Sequence, residues 1–550
     1  MAKLFSIKNS IQLRRKMKRI EKTNIIFCLY CFVALILYSS GLGGEDFHNL
    51  ALVIPLFCLT PTILVNNKKF EKISEKYLGK IKLLVLKVSP IFYFWSLFCI
   101  SFLIWIITYF HMFDRFNLGA FDSGIYGNIA FNTSSGEPFY SSVLQKNHLG
   151  EHFSPIVTIF APLYLIKADL RWLLTVQAIS FSFVPIIIYR ISGSYTKKIS
   201  EKLIVSLSLS ILWLIYKPMR AAMIFPFHPS TIAAPIILLA FAYMIEGKIS
   251  RMTTTLLFLL FFKENLTFVI IGFSFYLFFE KKDYKKSLFL FIIGTTALFS
   301  IVFFVIPTIN GDSFEKLSRF GIYDDWDIKF KYILDLFLPL GFLPILFWRR
   351  GLIALPAIMQ NLLVNSQPMY SSQYHYDDLI APLLFTILPG IIICHLIPIL
   401  NKFNFNKTIL LSLSLFLFLN FYAKQSPIHT VWKNPITDVQ KGIKKELIYL
   451  TENYPKEEIY FQHYLFPHVN RRPSSKVKVI PFLRDGNFTQ CYESDTYPKN
   501  SILVFAKNIP KYPIKDLNEC ITAFKKNDNA VHINKFKYIT VFKIRPADEE

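Results

Sequence analysis

The sequence has few of the features that support a soluble enzyme or a redox protein. Only 18% of its 550 residues are charged, and it contains seven cysteines. Five of these lie inside apolar segments, where a reactive thiolate would be desolvated. Cys28 and Cys31, spaced as CLYC, are therefore predicted to be buried thiols rather than a metal or redox pair. Cys491 and Cys520 are the two cysteines placed to form a disulfide.

Three further absences narrow the function. Residues 424–550 contain no glycine-rich phosphate loop, so a nucleotide site is not expected there. The apolar segments show no internal repeat, which argues against a transporter built from matched halves. The basic N-terminus, residues 1–23, leads into the apolar run 24–38 without a small-residue cleavage site, so this run is predicted to be a membrane helix and not a cleaved signal peptide.

Apolar residues are abundant in the sequence. Apolar residues make up 53% of the chain, 56 residues are Phe, and the mean hydropathy is +0.39. This composition is typical of a polytopic membrane protein. The net charge of +24 would suggest nucleic acid in a soluble chain, but much of the Lys and Arg lies in short runs between apolar segments. Such runs indicate cytoplasmic loops beside anionic lipid headgroups, so membrane lipids and not nucleic acid are the predicted partner.

About thirteen apolar segments are predicted to be membrane helices, several of them tilted or broken because they are shorter than the roughly 20 residues of a perpendicular span. With the N-terminus in the cytoplasm, the even-numbered connections are basic, which places the C-terminal region outside in a multi-pass membrane protein. The segments are 24–41, 47–65, 88–110, 171–190, 202–216, 231–245, 252–262, 266–279, 287–307, 332–348, 352–364, 378–399 and 407–423.

One apolar segment, 152–166, is left out of this count. If it crossed the membrane, every later basic loop would face outward, so it is predicted to lie on the outer leaflet within a large external loop, 111–170. Residues 424–550 alternate polar and apolar groups in strand-like runs. The predicted fold is an all-α polytopic membrane protein, residues 24–423, with a small C-terminal α/β extramembrane domain, residues 424–550.

Polar residues at the ends of apolar segments collect on the predicted external side. Because a charged group at membrane depth tends to face a cavity, this convergence indicates a buried polar site, although external loops are polar by default. The candidates are Asp122, Glu151, His152, Arg220, His228, Lys263, Glu264, His375, Asp377 and Asp378.

Each candidate also has a plainer structural interpretation. Asp122 could cap the helix that follows it, and His152 could cap the interfacial segment. Lys263 and Glu264 could form a local ion pair in a turn. The remaining alternatives are a turn residue for His228, a helix-end anchor for Arg220, and a solvated loop edge for His375, Asp377 and Asp378, which lack the fixed spacing of a metal motif.

The order of the motifs resembles a known family. The series runs through FNLGAFDSGIYGNIAFNTSSGEPFYSS, HLGEHFSPIVTIFAPLYLI, FPFHPSTIAAPIILLAFAY, FKENLTFVIIGF and HYDDLIAPLL. It is similar to an uncharacterised family of predicted bacterial and archaeal membrane proteins, a domain of unknown function, which itself looks like a distant member of the GT-C glycosyltransferases. The resemblance covers residues 88–545.

This resemblance implies a multi-spanning enzyme of the bacterial inner membrane, with a polyprenyl-phosphate sugar as donor and an unknown lipid, glycan or protein acceptor. It implies an acidic residue in the first external loop, where this chain has Asp122, and it makes 152–166 similar to a juxtamembrane helix. Similar sequences often have a second acidic residue nearby, where this chain has Gly127 and Asn128. The need for a divalent metal is left open.

The resulting hypothesis assigns a role to each group. Asp122 is the base, Glu151 and His152 shape the acceptor pocket, and Lys263 holds the phosphate with His228 or His375. Two alternatives stay open: a transporter or lipid flippase, and an envelope-assembly scaffold without catalytic activity.

Overall fold

The computed structural model describes residues 89–225, 227–311, 320–321, 325–402, 427–469, 476–480, 497–511 and 517–545. The predicted cytoplasmic N-terminus and the predicted spans 24–41, 47–65 and 407–423 lie outside these residues, as do Cys28, Cys31 and Cys491. From Pro90 onward the chain forms one unit.

The described apolar segments form helices that are frequently interrupted. Proline at the first or second position begins several of them, because a first-turn proline needs no hydrogen-bonded N–H and has the helical φ already. The α-helices are α1 (Pro90–Asp114), α2 (Ile125–Ser134), α3 (Ala161–Ile166), α4 (Arg171–Gly193), α5 (Ile199–Ile215), α6 (Lys217–Ile224), α7 (Pro229–Ile232), α8 (Ala234–Ile245), α9 (Ile249–Leu259), α10 (Thr267–Tyr276), α11 (Tyr284–Ser300), α12 (Ile306–Asn310), α13 (Trp326–Phe337), α14 (Leu343–Leu346), α15 (Trp348–Gly351), α16 (Leu355–Leu362), α17 (Ile380–Ile391), α18 (Ile397–Lys402), α19 (Pro427–Lys433), α20 (Asp438–Asn453) and α21 (Leu517–Lys526).

Four helical stretches in the described chain are long and apolar enough to cross a membrane. A fifth candidate is the pair α5 and α6, which bend by 48° relative to each other. The predicted count of about thirteen spans stays a prediction. The segment Pro155–Ile166 is a short apolar helix, shorter than a span needs, which agrees with its predicted interfacial position. The four stretches are Pro90–Asp114, Arg171–Gly193, Tyr284–Ile309 and His375–Ile399.

The membrane helices differ in how deeply they are buried. Helix α4 packs against α1, α5 and α8, while α8 also contacts α9 and α17. Every residue of α17 is buried. By contrast, α1 and α11 expose apolar side chains such as Phe92, Leu103, Leu288 and Phe289, as helices facing lipid do. The residues that precede α17 therefore lie at one end of the interior of the bundle.

Strands occur in two places. Tyr140–Ser141 (β1) and Lys146–Asn147 (β2) form a hairpin within the loop 111–170. The C-terminal α/β region consists of α20, α21 and a five-stranded sheet in the order β4-β3-β5-β7-β6, in which β3 is parallel to β4 and β5 and the other pairs are antiparallel. Helix α20 begins with a Thr437–Gln440 capping box and packs on one face of the sheet, while α21 packs on the other. The strands are β3 (Ile459–Phe461), β4 (Val477–Val479), β5 (Ile502–Phe505), β6 (Ala530–His532) and β7 (Thr540–Ile544).

Candidate functional site

Asp122 lies in a tight loop, Gly119–Gly124, between α1 and α2. Its backbone has φ 57° and ψ −90°, a left-handed conformation that strains any residue other than glycine by about 1–3 kcal/mol. Hydrogen bonds from the Gly124 amide (3.2 Å) and the Ser123 hydroxyl (3.2 Å) to the Gly119 carbonyl hold the loop closed. The N-cap of α2 is Gly124, without a side-chain capping bond. The capping interpretation of Asp122 is therefore wrong.

The Asp122 carboxylate pairs with His228. Oδ1 of Asp122 lies 3.1 Å from Nε2 of His228, and the side chains are 36% and 2% exposed, respectively. The backbone amide of His228 donates to Gln177 Oε1 (3.1 Å), whose amide nitrogen donates to the Tyr109 hydroxyl (2.8 Å). Helices α1 and α4 thus fix His228 behind Asp122, and the carboxylate is the member of the pair that a substrate can reach.

His375 extends this pair into the bundle. Its ring stacks on that of His228 with centroids 3.7 Å apart and planes at 19°. The ring of Phe225 packs against both imidazoles, at 6.5 Å from His228 and 5.3 Å from His375. Asp122, His228 and His375 therefore form one continuous polar row that begins at the loop and ends just before α17.

The turn between α9 and α10 closes another side of the site. Nδ1 of His152 lies 2.6 Å from Oε1 of Glu264, and the amide of Phe153 donates to Oε2 of Glu264 (3.0 Å). The expected local ion pair between Lys263 and Glu264 does not form, because Glu264 is turned toward the loop that contains His152.

Lys263 is buried, with 8% of its surface exposed. In the described part of the chain, no carboxylate lies within ion-pair distance of its ammonium group. It acts electrostatically on Asp122, Asp378 and His375 from farther away. A buried cation without a direct counterion favours the binding of an anion.

The HYDD motif is buried, so its interpretation as a solvated loop edge is wrong. Asp378 accepts a hydrogen bond from the Thr231 hydroxyl (3.0 Å), which ties α17 to α7. Asp377 accepts one from the Tyr332 hydroxyl (2.6 Å), and Asn361 donates to the same hydroxyl (2.9 Å). These contacts give both carboxylates a role in joining helices.

Two predicted site residues have their described contacts elsewhere. Glu151 forms an ion pair with Lys146 of β2 at 2.8 Å. Nε of Arg220 donates to the carbonyl of Ile215 (3.1 Å), at the C-terminal end of α5, where a cation interacts favourably with the helix dipole. Their assignment to substrate binding stays a prediction. Among the described residues, no group of three or more His, Cys, Asp or Glu side chains is arranged to hold a metal ion.

Comparisons with known proteins give the family. A family model described as "Predicted membrane protein (DUF2079)" matches residues 112–528. The chain belongs to this family. The fold of this DUF2079 protein is similar to that of ArnT from Cupriavidus metallidurans, whose crystal structure contains bound undecaprenyl phosphate: the TM-score is 0.53 and the identity 10%, over 82% of this chain and 97% of ArnT. Curated protein sequences show no significant match. The resemblance to a family of predicted membrane proteins, inferred from the order of the motifs, is thus confirmed.

The sequence did not point to two residues beside this site, Tyr126 and His463. Tyr126 of α2 lies with its ring centroid 5.2 Å from His148 and 5.9 Å from His228. Burial, with contributions from Asp122 and Glu264, raises its pKa well above the usual range, so the phenol stays protonated. His463, which follows β3, lies 4.8 Å from the Phe121 ring. Burial lowers the pKa of His463 to about 4, although Asp122 partly opposes this.

The ionisation of Asp122 in this DUF2079 protein follows from its neighbours. Burial alone would raise the pKa of the carboxyl group, but the pairing with His228, together with smaller electrostatic contributions from His375 and Lys263, outweighs burial. They hold the pKa of Asp122 well below its usual range, so the carboxylate is ionised at neutral pH.

Proposed function

We propose that this protein is a membrane glycosyltransferase that transfers a sugar from a polyprenyl-phosphate donor to an envelope acceptor at the outer face of the membrane. The observation that carries the proposal is the pairing of the partly exposed Asp122 carboxylate with buried His228, close to the buried cation Lys263. The ArnT-like fold and the order of the motifs support it.

The chemistry needs one base and one binding site for phosphate. A hydroxyl of the acceptor attacks the anomeric carbon, the bond from that carbon to the phosphate oxygen breaks, and its electron pair leaves with the lipid phosphate. The hydroxyl proton passes to Asp122. Since the hydroxyl becomes acidic only as its new bond forms to a positively charged sugar carbon, an ionised carboxylate of low pKa can accept the proton late in the step.

Lys263 supplies the positive charge that stabilises the leaving lipid phosphate. The polyprenyl phosphate leaves as an anion, so a fixed cation stabilises the charge that develops as the bond breaks, and no acid is needed to protonate the leaving oxygen. The buried position of Lys263 strengthens this interaction, because water screens it little. His228 orients the carboxylate through its 3.1 Å contact with Asp122, and His375 stacks on the His228 ring.

Two features support a site on the outer face. Cys520 is disulfide-bonded, and structural disulfides are typical of compartments outside the cytosol. The segment Pro155–Ile166 exposes Ile159, Leu165 and Ile166, as an interfacial helix on a leaflet does. With the basic loops predicted on the opposite side, this topology is the one expected for an enzyme that uses a donor presented at the outer leaflet.

Replacing His228 with glutamine is expected to give the transfer rate an acid limb above about pH 4, a range in which Asp122 of the wild type stays ionised. His228 lowers the pKa of Asp122 whereas burial raises it, so without the imidazole the carboxylate is protonated earlier as the pH falls. The measurement is kcat/KM between about pH 4 and pH 8. His532→Gln, on an edge strand of the C-terminal sheet, is the matched control. An acid limb at the same pH in both variants would contradict the pairing.

A vesicle experiment separates the enzyme from a flippase. Purified protein is reconstituted with undecaprenyl-phosphate-linked sugars and an envelope extract as the source of acceptor. A flippase moves the intact donor between leaflets, whereas a transferase releases undecaprenyl phosphate. Release above that of protein-free vesicles is expected, and movement of intact donor without release would overturn the proposal.

A further inference from the structure

We propose that His463 is a positioning residue for the transfer reaction: the C-terminal α/β region sets the place of the Asp122 carboxylate through the contact of His463 with Gly119 and Phe121. This inference rests on the proposed function for its kinetic consequence. Its structural part can be tested separately.

The loop that contains Asp122 is anchored in two different cores. Phe116 and Ala120 belong to the core of the C-terminal α/β region, together with Phe461 of β3. Leu118 and Ile125 instead belong to the core of the membrane helices. Alternate side chains of the loop therefore point into different packing layers, and a shift of one core relative to the other moves the loop.

His463 makes the closest approach to this loop. A Cβ atom on Gly119 would lie 2.1 Å from Nε2 and 2.7 Å from Cδ2 of His463, so only glycine leaves room for the imidazole. The φ and ψ of Gly119, −93° and 175°, are open to any residue, and the requirement for glycine is thus one of space. The same ring lies 4.8 Å from that of Phe121, the neighbour of Asp122.

The imidazole is held by a rigid element. His463 is the second residue after β3, and the preceding Gln462 is fixed across the sheet. The backbone amide of Gln462 donates to the Val504 carbonyl (3.0 Å), and its side-chain oxygen accepts from the Ala506 amide (2.8 Å). Gln462 is fully buried. Since a buried sheet position shifts little, His463 acts as a fixed stop against the loop.

Other contacts attach the same region to both ends of the loop. The ring of His468 stacks on Phe113 and packs against Phe116, each at 4.1 Å. Lys444 of α20 pairs with Asp114 at 2.9 Å. A Cβ on Gly124 would lie 3.3 Å from the Phe466 ring. This packing opposes the relaxation of the left-handed backbone at Asp122, which persists only where surroundings enforce it.

The neutral state of His463 fits a positioning role. Its pKa of about 4 leaves the ring uncharged at neutral pH, so it adds no positive charge beside the Asp122 carboxylate. That carboxylate pairs with His228, and 36% of its side chain is exposed.

The test introduces a steric clash at Gly119 and then relieves it by truncating His463. Gly119→Ala is expected to lower kcat by about 10–100-fold, because a misplacement of about 1 Å costs that much, with the donor KM changed less than about threefold. His463→Ala alone is expected to lower kcat by about three- to tenfold through a looser loop. The double variant Gly119→Ala with His463→Ala is expected to recover at least about tenfold over Gly119→Ala, because the truncated side chain makes room for the new methyl group.

Two controls match these variants. Gly442→Ala introduces a clash of similar size inside the C-terminal α/β region, where the new Cβ would lie 2.4 Å from the Tyr538 ring. It is expected to lower thermal stability but not kcat. His532→Ala removes an imidazole from β6 of the same sheet and is expected to leave kcat unchanged.

Hydrogen exchange of the peptide that spans residues 116–125 gives a readout independent of transfer. Faster exchange in Gly119→Ala, reversed in the double variant, supports the positioning role even if no donor is consumed, in which case only the proposed function fails. No recovery of either kcat or protection in the double variant, or a kcat loss in Gly442→Ala equal to that in Gly119→Ala, would overturn the inference.

Discussion

Asp122→Asn is expected to reduce the rate of sugar transfer by about 10²–10⁴-fold, the range for loss of a positioned general base. The amide keeps the size of the side chain but cannot accept the hydroxyl proton. It also leaves the partner of His228 uncharged. A single-turnover assay with preloaded donor in vesicles measures the chemical step without the contribution of product release.

Asp169→Asn provides the matched control for this variant. Asp169 is another carboxylate of the loop 111–170, and its described contacts are with Arg171 and Lys167, away from His228. Its replacement is expected to leave the single-turnover rate within about twofold. A transfer rate for Asp122→Asn equal to that of Asp169→Asn would remove Asp122 from the mechanism.

Lys263→Met is expected to weaken the binding of undecaprenyl phosphate by about 10–100-fold. A hydrogen bond to a charged group contributes about 1.5–3 kcal/mol, and each 1.4 kcal/mol is tenfold in affinity. Methionine keeps the apolar stem of the buried side chain, so packing is largely preserved. Titration of the protein in nanodiscs with undecaprenyl phosphate, followed by native mass spectrometry, measures the change.

Two further variants define the role of the charge. Lys263→Arg keeps a cation, but the planar guanidinium donates its hydrogen bonds in a different geometry from the ammonium group. Binding of the lipid is therefore expected to stay within about tenfold of the wild type. Lys217→Met removes a lysine that already pairs with Asp335 at 3.1 Å, and it is expected to bind the lipid as the wild type does. Equal loss in Lys263→Met and Lys217→Met would indicate a diffuse electrostatic effect and not a phosphate site at Lys263.

The sequence identified the polar groups at helix ends but not all of their partners. Asp122, His228, Lys263 and His375 could be proposed because charged or polar residues interrupt apolar runs and a single topology brings those ends to one side. The pairing of Glu264 with His152 was not foreseen, since adjacent Lys263 offered a nearer partner in sequence. A local pattern does not determine which way a side chain turns when the competing partner lies in a distant loop.

The contact of His463 with Gly119 was also beyond prediction from the sequence. His463 occurs in a strand-like run, YFQHYLF, that indicates a sheet but no site, and Gly119 stands in a loop where glycine is common. Only the tertiary packing brings the end of β3 to the loop. This contact joins residues that lie far apart in the chain, so no spacing or periodicity in the sequence could indicate it.

The missing second acidic residue now has a physical account. Asn128 is buried, and its side-chain oxygen accepts hydrogen bonds from the Ser142 amide (2.7 Å) and the Asn132 side chain (3.1 Å). Its amide thus ties α2 to the chain that follows β1. In this protein the position serves the structure of the loop, and the proposed mechanism assigns the proton transfer to Asp122 alone.

The most direct test of the proposed function follows the sugar itself. Vesicles containing the protein, undecaprenyl phosphate linked to an isotopically labelled sugar, and an envelope extract are sampled over time, and mass spectrometry quantifies the label in the donor and acceptor fractions. Label is expected to appear in the acceptor in amounts equal to the undecaprenyl phosphate released, with inverted configuration at the anomeric carbon. Label that stays on the donor across hexose and pentose donors, while the protein still binds undecaprenyl phosphate, would contradict the account.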